Sequence, residues 1–76
     1  MNVLKIEYVA TDDLIPYFNN SRTHSESQVK QIAASIREFG FTNPILIDEE
    51  QTIIAGHGRV MAAEVLSMST VPCIRL

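Results

Sequence analysis

The chain has 76 residues, 46% of them hydrophobic and 20% charged, which fits one small domain with a modest core and argues against a disordered chain. Its net charge is −3 and its pI about 5.1, which makes it a poor candidate for a strong free-standing DNA binder, because such proteins gain most of their affinity by neutralising phosphates. The single cysteine excludes an internal disulfide, and no signal peptide or membrane span is visible, so we expect a cytoplasmic protein with no membrane partner.

The first half of the chain predicts a strand, a short helical turn and one long helix. Apolar and polar residues alternate over residues 3–9, which is typical of a half-buried strand. A helical turn should begin at Thr11 and end before Pro16. Ser25 and Gln28 have the spacing of a capping box, and Gly40 ends the helix that follows. The apolar stripe of this helix is formed by Val29, Ile32, Ala33 and Ile36.

The second half predicts a hairpin, a second helix and a last strand. Residues 45–47 and 52–55 are apolar runs separated by an acidic turn, as in a β-hairpin. A helix should cover residues 58–66, and a strand residues 71–75. We place that last strand at an edge of the sheet, because Pro72 would interrupt a central ladder. The order of elements predicts a compact α+β domain.

The junction between the hairpin and the second helix is the strongest candidate site. A β-branched run stops at Gly56, and Gly58 and Arg59 follow at the start of a helix. Bare backbone N–H groups, a positive helix end and a guanidinium would then surround one spot, as in phosphate sites. A plain tight turn, in which glycine permits positive φ, explains the same pattern equally well. The P-loop and dinucleotide patterns do not fit, since no Lys-Ser/Thr pair follows the last glycine and Met61 stands where a small residue is needed.

Polar residues elsewhere extend this candidate site. Arg22 precedes the first helix and could clamp a phosphate chain together with Arg59, although a lone surface arginine is usually just solvated. His57 could donate to a phosphate, act as a general base or face solvent, and His24 could line the same pocket. Two histidines without a spaced carboxylate predict no metal site. Cys73, inside a predicted strand, is interpreted as a small buried hydrophobe.

These residues also carry a resemblance to a known family. Five segments in order, residues 13–16, 20–22, 35–40, 43–47 and 54–59, resemble the ParB N-terminal (ParB-like nuclease) domain of the ParB/sulfiredoxin superfamily. The similarity is greatest to the copy found at the front of phage and prophage DNA methyltransferases. In that copy Arg-Thr-His-Ser and Ala-Gly-His-Gly-Arg are typical, as at residues 22–25 and 55–59 here.

The resemblance implies a ParB/sulfiredoxin fold, with a small mixed sheet and two main helices, and a nucleoside triphosphate, CTP or ATP with Mg²⁺, as candidate ligand. It implies phosphate contacts from Arg22, Gly56 and Arg59, to which we add His57 and Gly58. His57 replaces the family's glutamate and Gly58 its first arginine, so this clamp carries one charge fewer. Sulfiredoxins have their catalytic cysteine where His57 stands, which excludes their chemistry. Further candidate pocket residues are His24, Asn43 and Pro44.

We therefore predict that residues 1–76 form one ParB-like N-terminal domain, excised from a longer protein. Its predicted role is a nucleotide- or phosphate-binding regulatory module of a DNA methyltransferase or DNA-binding regulator. DNA would be contacted through regions outside this chain, and a homodimer is one further candidate assembly. The alternative is an enzyme, a nuclease or a phosphotransferase/NTPase, that uses His57 as its base.

Overall fold

A computed structural model describes residues 5–17 and 25–76 of the chain. In chain order, its elements are β1 (Ile6–Ala10), a 3₁₀ turn (Thr11–Asp13), α1 (Glu26–Phe39), β2 (Ile45–Ile47), β3 (Ile53–Ala55), α2 (His57–Val65) and β4 (Thr70–Arg75). The four strands form one sheet in the order β1-β4-β2-β3. β4 runs antiparallel to β1 and parallel to β2, while β2 and β3 form an antiparallel hairpin. The predicted α+β fold with a small mixed sheet and two main helices is confirmed.

The position of β4 contradicts the sequence prediction. The strand lies inside the sheet, between β1 and β2, and not at an edge. Pro72 is opposite Tyr8 of β1, whereas pairing with β2 begins one residue later, at Cys73. Pro72 therefore occupies a stretch of β4 that has one neighbouring strand only, so its missing N–H does not interrupt the ladder with β2.

The 3₁₀ turn after β1 is shorter than predicted, and the side chain of Thr11 does not cap it. Only Thr11–Asp13 is helical. Its buried hydroxyl instead donates to the carbonyl oxygen of Met68 at 2.8 Å. Ile15 is extended and pairs with Thr52 in an isolated parallel bridge, which continues the sheet beyond β3.

The capping box and the apolar stripe of α1 are confirmed. The Ser25 hydroxyl accepts from the Gln28 N–H, and the Gln28 side chain accepts from the Ser25 N–H, both at 3.2 Å. Gly40 follows the helix with a positive φ of 80°. Val29 and Ala33 are buried in a small cluster with Ala62 of α2. The stripe of α1 thus packs on α2.

The helix α2 lies between α1 and the sheet. Val60 and Ala63 belong to the main core, together with the inward side chains of the sheet, whereas Ala62 faces α1. Because both sides of α2 are covered, four of its nine residues are buried, including Gly58 in its first turn. The small side chains allow the layers to approach closely. This packing fixes the start of α2 relative to the sheet.

Candidate functional site at the start of α2

Gly56 makes the turn from β3 into α2. It has φ 107° and ψ 21°, in the left-handed region, and it is the N-cap residue of the helix. Only glycine adopts this conformation readily, which explains why a β-branched run ends here. No side chain caps α2. The first N–H groups of a helix have no intrahelical partner and carry its positive dipole end, so this turn presents donors suited to an anion.

The guanidinium of Arg59 folds back over this turn. A Cβ placed on Gly56 would lie 3.3 Å from Nη2 of Arg59 and 2.9 Å from Cδ1 of the fully buried Ile45. Nε of Arg59 is buried and has no hydrogen-bond partner among the described residues. In residues 5–17 and 25–76 no carboxylate forms an ion pair with this arginine. A buried donor without a partner costs free energy, so an incoming anion would gain from pairing with it.

His57 links this turn to the segment that follows β1. Its Nε2 accepts a hydrogen bond from the backbone N–H of Tyr17 at 3.4 Å. This contact places the imidazole ring of His57 against the backbone of Tyr17. To act as a general base through Nε2, the ring would first have to leave the Tyr17 N–H.

A groove of about 400 Å³ lies between the segment that follows β1 and the β2–β3 hairpin. The segment Ile15–Tyr17 lines it on one side, and Asp48 and residues 52–54 line it from the hairpin. Sequence reasoning missed this groove, because its walls meet only through the Ile15–Thr52 bridge, which joins residues far apart in the chain. The only local signal was an apolar residue, Ile15, just before Pro16.

The structure brings together some of the predicted site residues. Gly56, His57, Gly58 and Arg59 share the start of α2 as expected. Arg22 and His24 lie outside the described residues, so the two-arginine clamp stays a prediction. The two remaining candidates lie in the loop before β2: Asn43 is exposed, and Pro44 lines a second groove together with Tyr8 and Pro72.

The remaining reactive groups are not part of this site. Cys73 is fully buried in β4, and its Sγ donates to the carbonyl oxygen of Val71 at 3.5 Å. Burial raises the pKa of the Cys73 thiol, and the charge of Glu7 raises it further. A neutral buried thiol is a poor nucleophile. Across the described ranges, no three His, Cys, Asp or Glu side chains gather in a way that could hold a metal ion.

Comparison with known proteins decides the family. The profile of the ParB N-terminal domain matches residues 1–75. The chain belongs to this family. Over 73 residues it is 60% identical to the ParB-like nuclease domain-containing protein YnaK of Escherichia coli K12, covering 96% of this chain and 84% of YnaK. It is 33% identical to a probable chromosome-partitioning protein ParB of Rickettsia bellii, covering 91% of this chain but only 24% of that protein.

Solved structures agree with this ParB N-terminal assignment. The C-terminally truncated chromosome-partitioning protein ParB of Caulobacter crescentus, complexed with CTP-gamma-S, superposes with a TM-score of 0.85 at 28% identity. The match covers 95% of this chain and 44% of that one. Sulfiredoxin of Arabidopsis thaliana matches with a TM-score of 0.84 at 21% identity, over 95% of this chain and 84% of that one, which shows a shared fold. Within the described residues, neither helix of the ParB N-terminal domain is long and apolar enough to cross a bilayer.

Proposed function

We propose that this ParB N-terminal domain captures the phosphates of a nucleoside triphosphate at the start of α2. The observation that carries the proposal is the Arg59 guanidinium lying over Gly56, with its Nε buried and lacking a partner among the described residues. Backbone N–H groups at the helix start would bind phosphate oxygens, and Arg59 would supply charge. Arg22 would be the second arginine, with His24 and His57 lining the pocket.

The identity of the ligand is proposed from the relatives. The Caulobacter ParB that shares the fold was solved with CTP-gamma-S, at an identity of 28%. CTP is therefore the first ligand to test, and ATP the second. Bound Mg²⁺ would be held mainly by the triphosphate and would offset part of its negative charge, since Mg²⁺ sites of this kind use few protein carboxylates.

Binding is favoured over catalysis by the environment of His57. Its Nε2 already accepts from the Tyr17 N–H, so this nitrogen positions the ring against the preceding segment. A nuclease or phosphotransferase that used His57 as its base would have to break this contact in every turnover. We therefore propose a regulatory module and keep the enzyme as the alternative.

The biological setting belongs to the same proposal. With a net charge of −3, the domain is suited to regulate DNA binding or methylation carried out by another region, such as a DNA methyltransferase or a DNA-binding regulator.

A homodimer is proposed through β1, which is an edge strand of the sheet and exposes 56% of Ile6 and 72% of Tyr8. Light scattering on the purified chain tests this assembly, and a monomer at every concentration would exclude it.

Calorimetric titration with CTP, ATP and GTP, with and without Mg²⁺, tests the binding function. Arg59→Ala should weaken binding about tenfold or more, because hydrogen bonds to charged groups contribute about 1.5–3 kcal/mol. Arg37→Ala, which removes an exposed charge from the last turn of α1, is the matched control and should change little. Absence of binding to every nucleotide, or equal effects of the two variants, would contradict the proposal. Nucleotide turnover that is lost in His57→Ala while affinity persists would establish the enzymatic alternative.

A further inference from the structure

A groove of about 450 Å³ lies between α1 and α2. Glu26 and Val29 line it from α1, and Met61, Glu64 and Val65 line it from α2. Residues three and four apart are neighbours on a helix surface, so each helix contributes one continuous face to this groove. We call this surface the α1–α2 groove. It contains none of the residues of the proposed nucleotide site.

The middle of the α1–α2 groove is apolar and only partly covered. Val29 is buried in the small cluster that also contains Ala62 of α2. In the same groove, Met61 exposes 38% of its surface and Val65 exposes 60%. Methionine side chains are unbranched and adaptable, and they are frequent at surfaces that accept partner helices. Solvent therefore reaches an apolar strip that continues the packing contact between the two helices.

Two exposed carboxylates accompany this apolar strip, one on each helix. Glu26 begins α1, and Glu64 lies in the last turn of α2. Within residues 5–17 and 25–76 neither forms an ion pair, although Lys30 follows Glu26 by four residues on α1. Glu64 also lies near the negative end of the α2 dipole, which strengthens the attraction of this position for a cation. The α1–α2 groove thus presents two negative charges beside an apolar strip.

The partner that complements this surface has an apolar stripe flanked by Lys or Arg side chains. An amphipathic helix supplies that pattern, because its residues three and four apart share one face while charged residues lie beside them. Such helices bind other proteins by laying their apolar face into a hydrophobic groove. We propose that the α1–α2 groove docks a basic amphipathic helix of a partner protein. The apolar stripe of that helix would pack on Met61 and Val65, and its cations would pair with Glu26 and Glu64.

The test uses a synthetic peptide with leucines at helical spacing and lysines on both sides of that stripe. Added to the isotope-labelled chain, it should shift the amide resonances of the groove residues on α1 and α2 and leave those of β1 in place. Glu26→Lys/Glu64→Lys should weaken binding about tenfold, because two attractive charge pairs become repulsive. Glu49→Lys/Glu50→Lys is the matched control, since it changes the net charge equally at exposed positions of the hairpin turn, and it should have a much smaller effect.

Two further arms separate helix docking from simple charge attraction. A peptide of the same composition in scrambled order, without an apolar stripe, should bind about tenfold more weakly than the amphipathic one. Val65→Ser, at an exposed position that tolerates a polar side chain, should weaken only the amphipathic peptide, and it keeps the test decisive if the charge-reversed helices do not fold. Equal binding of the two peptides, equal effects of the two double variants, or no shift at the groove residues would overturn the proposal. None of these outcomes depends on nucleotide binding.

Discussion

The guanidinium of Arg59 lies against the backbone of Gly56, so closely that a Cβ on the glycine would stand 3.3 Å from Nη2. The same Cβ would stand 2.9 Å from Cδ1 of Ile45, in the core of the sheet. Gly56 therefore has two roles: it makes the left-handed turn into α2, and it leaves the space that Arg59 and Ile45 occupy. The candidate site and the core meet at this residue.

Gly56→Ala should destabilise the domain, because alanine is strained at φ 107° and its Cβ would collide with the buried Ile45. Backbone strain of this kind costs about 1–3 kcal/mol, and the collision adds to it. Gly40→Ala is the matched control: it also has positive φ, at 80°, but no atom lies within 4 Å of its Cβ. Urea unfolding should show the larger loss in Gly56→Ala. Equal losses of unfolding free energy in the two variants would mean that Ile45 moves away from the new Cβ at little cost.

Arg75→Ala should destabilise the domain more than Glu7→Gln. Arg75 donates to the Glu7 carboxylate and, through Nη1, to the carbonyl oxygens of Asp48 and Glu49, both at 3.0 Å. The ion pair is partly exposed and contributes only about 0–1 kcal/mol. Loss of the two carbonyl contacts, which hold the hairpin turn to β4, should raise the cost to about 1–3 kcal/mol. Chemical unfolding of the two variants measures the difference, and a Glu7→Gln loss as large as that of Arg75→Ala would show that the carboxylate dominates.

Cys73 should resist thiol reagents until the domain unfolds. Burial and the charge of Glu7 raise the pKa of its thiol, so the folded protein retains this proton where the unfolded chain loses it. The contribution to stability is therefore constant below the unfolded thiol's pKa, about 8.5, and falls as the pH rises above it. Ellman's reagent with and without urea measures the protection. The free energy of unfolding should fall less at alkaline pH in Cys73→Ala, which has no thiol to titrate. An equal fall in the two proteins would contradict this prediction.

Ser25→Ala should cost about 0.5–2 kcal/mol, because it removes the side chain that caps the start of α1. Ser27→Ala, at an exposed position in the same first turn, is the control and should be neutral or slightly stabilising, since alanine favours helix. Thermal unfolding followed by circular dichroism compares the two. A similar loss in both variants would show that the capping hydrogen bonds at 3.2 Å contribute little.

Elements that depend on residues close together in the sequence were predictable. Ser25 and Gln28 form the expected capping box because both partners lie within one helical turn. The hairpin of β2 and β3 follows from two apolar runs around a short acidic turn, and Cys73 is buried as its strand pattern indicated. The family resemblance rested on short segments of this kind, and the family match confirmed it.

The placement of β4 was not predictable from Pro72 alone. A proline is excluded from a ladder only where its N–H is required, and the sequence does not show where pairing with β2 begins. The groove was missed for the same reason, since the Ile15–Thr52 bridge depends on how separate segments are brought together.

Helix ends, turns and the glycine-arginine junction thus depend on neighbours within a few residues, and the order of residues was sufficient to predict them. Strand order, the fold of Arg59 over Gly56 and the groove beside Tyr17 arise from contacts between distant segments. Such contacts form only when the whole core packs, because burial of the sheet against α2, and of α2 against α1, selects one arrangement among those that the local patterns allow.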